Sequence, residues 1–307
     1  MKASIWLLTA SLIAALGTIG CDDEKTEVAP SATALEKVKA KSDKATVWMI
    51  ATKGSKVDFN MDAPKEKIIG SVEDATSGEI FIDLTDLTKT TANIDVDIGG
   101  LEIYQRKPGA DGKFGEKKKE PKQNEHARTW LQIDGEGADA AQVKLNRKSQ
   151  FVIKNVTAAS EKDISKTKDG EKKVTLTVTG GFLLHQHTKE KTAKIEATFV
   201  FKDGKPVSVR VKTVEPFSIG LAEYEVRPRE TFGKLAQSTL EVMAPKVAKE
   251  ARVEIEFTAV PKTTANVEGQ KKAKGDKLLD ARIKAEEEQR RKANEMLDEA
   301  RKKGTIK

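Results

Sequence analysis

Apolar and polar residues alternate with period two in segment after segment between Thr46 and Val260, and this alternation constrains the fold more than any other feature of the chain. Successive side chains of a strand point to opposite faces, so each segment presents one apolar and one polar row. Val57, Phe59 and Met61 alternate with Asp58 and Asn60; Ile80, Ile82 and Leu84 follow; Ile94, Val96 and Ile98 alternate with Asp95 and Asp97. Further on, Val174, Leu176 and Val178 face away from Thr175 and Thr177. Ala193, Ile195, Ala197, Phe199 and Phe201 run opposite Lys194, Glu196 and Thr198. Val207, Val209 and Val211 form the next row, and Val253, Ile255, Phe257 and Ala259 form the last, before Pro261.

Between two of the best strands, Lys202-Asp203-Gly204-Lys205 supplies the Asp-Gly pair that a tight hairpin with positive φ angles requires. The sheet is therefore expected to be largely antiparallel and the fold class all-β. About eight strands with one apolar face each bury that face against a second sheet or by closing into a barrel. The pattern leaves both arrangements open.

The ends follow other rules. Lys2, the apolar run Ile5 to Leu16, and Gly17-Thr18-Ile19-Gly20 before Cys21 read as a secretory signal peptide over residues 1–20, too short to span a bilayer at roughly 20 residues. Cys21 is the single cysteine and stands where a lipoprotein lipobox places its acylated residue, so it is the expected lipidation site and membrane anchor. Residues 21–44 are polar and lack an apolar period, which predicts a flexible tether. Residues 45–261 make the β-domain, and 262–307 a linker and a charged helical tail. In that tail, pairs such as Glu286 with Arg290 and Asp298 with Lys302 lie four residues apart, acid before base, which supports a solvated helix. Two segments break the β pattern within the body. Gln105 to Gln123, with Pro108, three glycines and Lys117-Lys118-Lys119, reads as a long solvated loop. Phe232, Leu235, Ala236, Leu240 and Met243 fall at helical spacing and predict a short amphipathic covering helix.

Composition excludes some functions. The net charge of +7 comes from lysines interspersed with acids, and aromatics make up only 5%, so no stacking platform for nucleic acid is expected. No serine sits in a Gly-x-Ser-x-Gly elbow, and Gly99-Gly100 and Gly180-Gly181 are too short to cradle a dinucleotide. Of the three histidines, His185 and His187 alternate on a strand end and would need distant His126 to complete a metal site. The plainer reading has His185 capping a strand through hydrogen bonds and His187 solvated. No catalytic residue, metal ligand or catalytic cofactor is assigned, and an enzyme is not expected.

Three passages resemble the YceI-like family of polyisoprenoid-binding proteins. His126, Arg128 and Asp134 match one motif; Gly180, His185, Thr188 and Lys189 match a second; Arg229, Phe232 and Gly233 match a third, in the same order along the chain. Gln186-His187 replaces the family's Gly-Val, and the loop from Gln105 to Gln123 is longer than the family norm. The resemblance implies an extended, lipocalin-like antiparallel barrel that takes a long isoprenoid chain, a polyisoprenoid or quinone-like lipid, for carriage or storage. In such a barrel the candidate lining residues are Phe59, Ile82, Val96, Leu176, Ile195, Ala197, Phe199, Val209 and Phe257. Expected partners are that lipid and the membrane reached through acylated Cys21; no protein partner is legible. The expected location is the bacterial cell envelope, facing the periplasm. The rival reading is a structural or interaction lipoprotein whose β-domain is filled by its own side chains.

Overall fold

The computed structural model describes residues 30–63, 66–134, 139–226 and 249–263. In chain order they form β1 (Thr46–Ala63), β2 (Glu66–Glu73), β3 (Thr76–Ile82), β4 (Thr91–Asp97), β5 (Glu102–Arg106), β6 (Lys118–Lys119), α1 (Pro121–Trp130) and α2 (Ala140–Asn146). There follow β7 (Lys148–Ala159), β8 (Gly170–Leu184), β9 (His187–Lys202), β10 (Lys205–Glu215), β11 (Phe217–Gly220) and β12 (Glu250–Pro261).

Eight of these strands close on themselves in the order β1, β3, β4, β7, β8, β9, β10, β12 and back to β1, every pair antiparallel. The apolar rows therefore meet in a closed barrel rather than across a sandwich. Closure leaves the interior of such a ring just wide enough for side chains or one small ligand.

The barrel is extended at one end, here the lower, because its longest strands each serve two partners. Thr46 to Met49 of β1 pair with β3, whereas Lys56 to Ala63 pair with β2, which in turn carries β5 and β6. The same split occurs on β12, whose Glu256 to Ala259 pair with β10 and whose Glu250 to Val253 pair with β11. Pro216, with no N–H to donate, separates β10 from β11 and lets the wall bend there.

The upper end carries the β9–β10 hairpin, where Asp203 and Gly204 adopt the positive φ angles read from the sequence, 51° and 68°. At the lower end His185 and Gln186 do the same at 48° and 62°, in a turn without glycine. Two glycines bring strands unusually close. A Cβ on Gly180 would lie 1.9 Å from the main-chain oxygen of Val152, and one on Gly78 would lie 1.9 Å from that of Asn93.

Three expectations are corrected. The flexible tether over residues 21–44 does not hold from Ser31 onward, where the chain is a strap pinned to the outer wall. Ser31 and Ala32 donate main-chain N–H groups to the Gln186 carbonyl at 3.0 Å, Leu35 N–H donates to Gln150 Oε1 at 2.8 Å, and Val38 exchanges two bonds with the Asn93 side chain. Ser42 then donates to Asp83 at 2.6 Å. Polar composition hid this because the strap is held by outward-facing polar side chains of the barrel, with Leu35 seated over Gly181. Next, the solvated loop ends early, since Pro121 to Gln123 begin α1, with Pro at the first helical position where its missing N–H costs nothing. Finally, His187 is 5% exposed rather than solvated. Cys21, the signal peptide, the covering helix with Phe232 and Gly233, and the charged tail lie outside the described residues.

Candidate ligand-binding cavity

All nine candidate lining residues face the lumen, but they divide between two spaces of unlike size. Ile82, Leu176, Ile195, Ala197, Phe199, Val209 and Phe257 surround the upper space, of about 50 Å³. That is room for no more than one or two waters at about 30 Å³ each, so these seven side chains pack against one another. Trp48 completes this part of the core, its ring edge-on to Phe199 with centroids 6.3 Å apart.

Phe59 and Val96 border the lower space, a cavity of about 480 Å³, within the range of roughly 300–1,000 Å³ typical of ligand pockets. Phe151 borders both spaces, and with Phe182 and Phe217 it forms an aromatic waist, centroids 5.4 to 6.2 Å apart, where they meet. Below the waist the wall is Val57, Phe59 and Met61 of β1, Ile103 of β5, Leu184 of β8 and Val253 of β12, among others. The strands that lengthen the barrel thus enclose volume that the eight-stranded ring alone leaves no room for.

Helix α1 borders this cavity. Gln123, His126, Ala127 and Trp130 lie three or four residues apart and face it together, with His126 stacked on Trp130 at 6.2 Å and nearly parallel. Asn124 fixes the helix to the sheet by donating to the Ile103 carbonyl at 2.9 Å and accepting from its N–H at 2.7 Å. Arg128 holds the other end: it pairs with Asp134 at 2.8 Å and donates to the Gly99 carbonyl at 3.0 Å. Few polar residues border the cavity: Glu66, Gln123, His126, Ser149 and Gln150, of which Gln150 turns its amide outward to Leu35 and Asp95.

The residues of the three motifs have unequal fates. His126, Arg128 and Asp134 gather on and after α1, while Gly180, His185 and Thr188 flank the β8–β9 turn. Gln132 joins the two groups, its Oε1 lying 3.1 Å from His185 Nε2. His185 Nδ1 donates to the Tyr224 carbonyl at 2.9 Å, and Gln186 donates to Asn146 Oδ1 at 2.7 Å. These residues brace the cavity end of the barrel; of the six, His126 alone borders the cavity. Tyr224 packs edge-on against Phe182 and is fully buried, which pushes its phenol pKa up, with nearby Glu223 adding to the effect. Among the described residues no group of three or more His, Cys, Asp or Glu is placed to hold a metal ion.

Sequence reasoning missed most of the lower wall. Gln123, Ala127 and Trp130 did carry a signal, their helical spacing, but it lay across the boundary between an assumed loop and a motif. Ile103, Leu184 and Val253 carry the ordinary alternation of any strand, so only the register of β2, β5 and β11 singles them out.

No family model matches the chain, and no curated protein matches it. Solved structures are similar to it, two of them as follows. One is a polyisoprenoid binding domain from Saccharophagus degradans implicated in plant cell wall breakdown, 13% identical, with a TM-score of 0.41 over 71% of this chain and 99% of that one. The other is BcnA of Burkholderia cenocepacia, also 13% identical at a TM-score of 0.41, over 68% of this chain and 98% of that one. At this distance the barrel stands on its own strand pairing.

Proposed function

We propose that the protein is a non-catalytic carrier or store for a long apolar lipid of the isoprenoid type, a polyisoprenoid or quinone-like molecule, held in the lower lumen. It works in the bacterial cell envelope, facing the periplasm and anchored through acylated Cys21. The observation that carries this reading is the cavity of about 480 Å³ with an almost wholly apolar wall. Water gains little in such a space, whereas burying several hundred Å² of prenyl chain at about 25 cal/mol per Å² yields a gross gain near 10 kcal/mol before association costs. The few polar groups at Glu66, Gln123 and His126 suit a single polar end on an otherwise apolar molecule.

The packed upper half supports the rival reading, a filled structural domain, for that half alone. An apolar wall kept apart below the waist favours carriage. The test is native mass spectrometry of protein extracted from its own membrane in mild detergent, followed by delipidation and reloading with a polyprenol. Carriage predicts a bound mass that an organic extract identifies as an isoprenoid lipid. Protein that carries no excess mass and takes up no polyprenol contradicts it.

A further inference from the structure

We propose that the loop between β5 and β6 is a docking element for the surface of an anionic phospholipid bilayer, and that it presents the cavity end of the barrel to that surface. This stands whether or not the lumen carries lipid.

Three observations converge on it. From the last residue of β5 to the first turn of α1, Arg106 to Lys122, there are seven Lys or Arg against three Asp or Glu, and with Lys119 paired to Glu102 an excess of three positive charges is left on the loop and its flanks. The loop is built rather than slack: Gly109 N–H donates to the Lys113 carbonyl at 2.8 Å and Gly115 N–H to the Lys107 carbonyl at 3.0 Å. Beside its tip stands Phe114, 39% exposed, one of three large apolar side chains left in solvent among the described residues, with Lys67 Nζ 4.9 Å from its ring centre. An exposed aromatic ring with an ammonium group beside it, on a basic segment, pairs an apolar wedge with charge complementary to lipid phosphates.

Position supplies the partner. The loop leaves β5 beside Ile103 and returns into α1 beside Gln123, and both residues border the large cavity. The strap leads to the same end, because Ser31 and Ala32 are fixed to Gln186 in the lower hairpin. The ten residues back from Ser31 to Cys21 span at most about 35 Å, so a lipid anchor on Cys21 would keep this end near the bilayer. Long lysine side chains at such a surface each add about fivefold to binding, and a partly inserted aromatic ring adds about tenfold.

The test uses the secreted chain with Cys21→Ser, so that no acyl group contributes, sedimented with phosphatidylglycerol-rich or phosphatidylcholine vesicles. Binding is expected to anionic vesicles alone. It should collapse between about 0.01 M and about 1 M salt, as the screening length falls from about 30 to about 3 Å. The triple variant Lys107→Gln, Lys113→Gln, Lys118→Gln should lose about a hundredfold and Phe114→Ser about tenfold, with thermal midpoints like the parent's. Equal binding to both vesicle types, no binding to either, or full binding by both variants overturns the proposal. Because none of these outcomes depends on lumen content, they are distinct from failure of lipid carriage.

Discussion

Nδ1 of His185 donates a hydrogen bond to the main-chain oxygen of Tyr224 at 2.9 Å, tying the lower hairpin to the 3-10 turn that follows β11. The other ring nitrogen meets Gln132, which follows α1, so one imidazole braces three segments around the cavity end. His185→Ala leaves the Tyr224 carbonyl and the Gln132 amide without this partner in a buried setting, which costs about 1–3 kcal/mol. Denaturant unfolding should show that loss, and hydrogen exchange should show it concentrated around residues 184–187 and 221–225.

Gly180 faces the Val152 carbonyl so closely that a methyl group cannot fit without moving β7 from β8. Gly180→Ala should therefore destabilise by about 1–3 kcal/mol, read as a lowered thermal midpoint. Gly181→Ala is the control: its new Cβ would meet side chains alone, Leu35 at 3.4 Å and Thr188 at 3.8 Å, both ordinary contact distances.

The strap carries a pH dependence. Burial pushes the Asp83 carboxyl up, but hydrogen bonds from Ser42 and Thr85 outweigh it and hold the pKa at about 2 rather than the ordinary 3.8. A carboxylate whose pKa is depressed on folding stabilises the fold above its unfolded pKa and loses that contribution as pH falls through the folded value. Between about pH 4 and about pH 2 the thermal midpoint should drop, with the strap near residue 42 becoming susceptible to protease. Asp83→Asn should be less stable at neutral pH and lack that part of the acid sensitivity.

Cys21→Ser tests the anchor. Each buried methylene of an acyl chain contributes about 0.8 kcal/mol, so with the chains removed the protein should leave the membrane fraction in a wash of about 1 M salt, which also screens the basic loop, whereas the acylated parent should stay. Unchanged fractionation would contradict acylation at this residue.

How far the sequence could be read depended on which side chains carried the information. Strands with long strict alternation, such as Ala193 to Phe201, announced themselves, and Asp203-Gly204 located the upper hairpin. The lower hairpin was opaque because His185 and Gln186 occupy left-handed conformations that turn residues other than glycine seldom signal. The strap was hidden for a related reason: Ser31, Leu35 and Val38 bond to Gln186, Gln150 and Asn93 through contacts more than fifty residues apart in sequence, which no local period encodes. For the cavity, alternation identified which side chains face inward but not where the lumen widens. Width follows from the switch of β1 and β12 between partners, a matter of register. Phe59 and Phe199 therefore looked equivalent in sequence, although one borders about 480 Å³ and the other about 50 Å³.

That difference allows the central claim to be tested with one paired measurement, polyprenol retention after delipidation and reloading, read beside the thermal midpoint. Val96→Trp projects bulk into the large cavity, and Ala197→Trp into the packed space above the waist. Carriage in the lower lumen predicts that Val96→Trp loses most of its polyprenol uptake while melting within a few degrees of the parent. Ala197→Trp should overpack the core, at about 1–3 kcal/mol or more, yet bind polyprenol while folded. Undiminished uptake by Val96→Trp, or a parent protein that retains no polyprenol, would contradict the account.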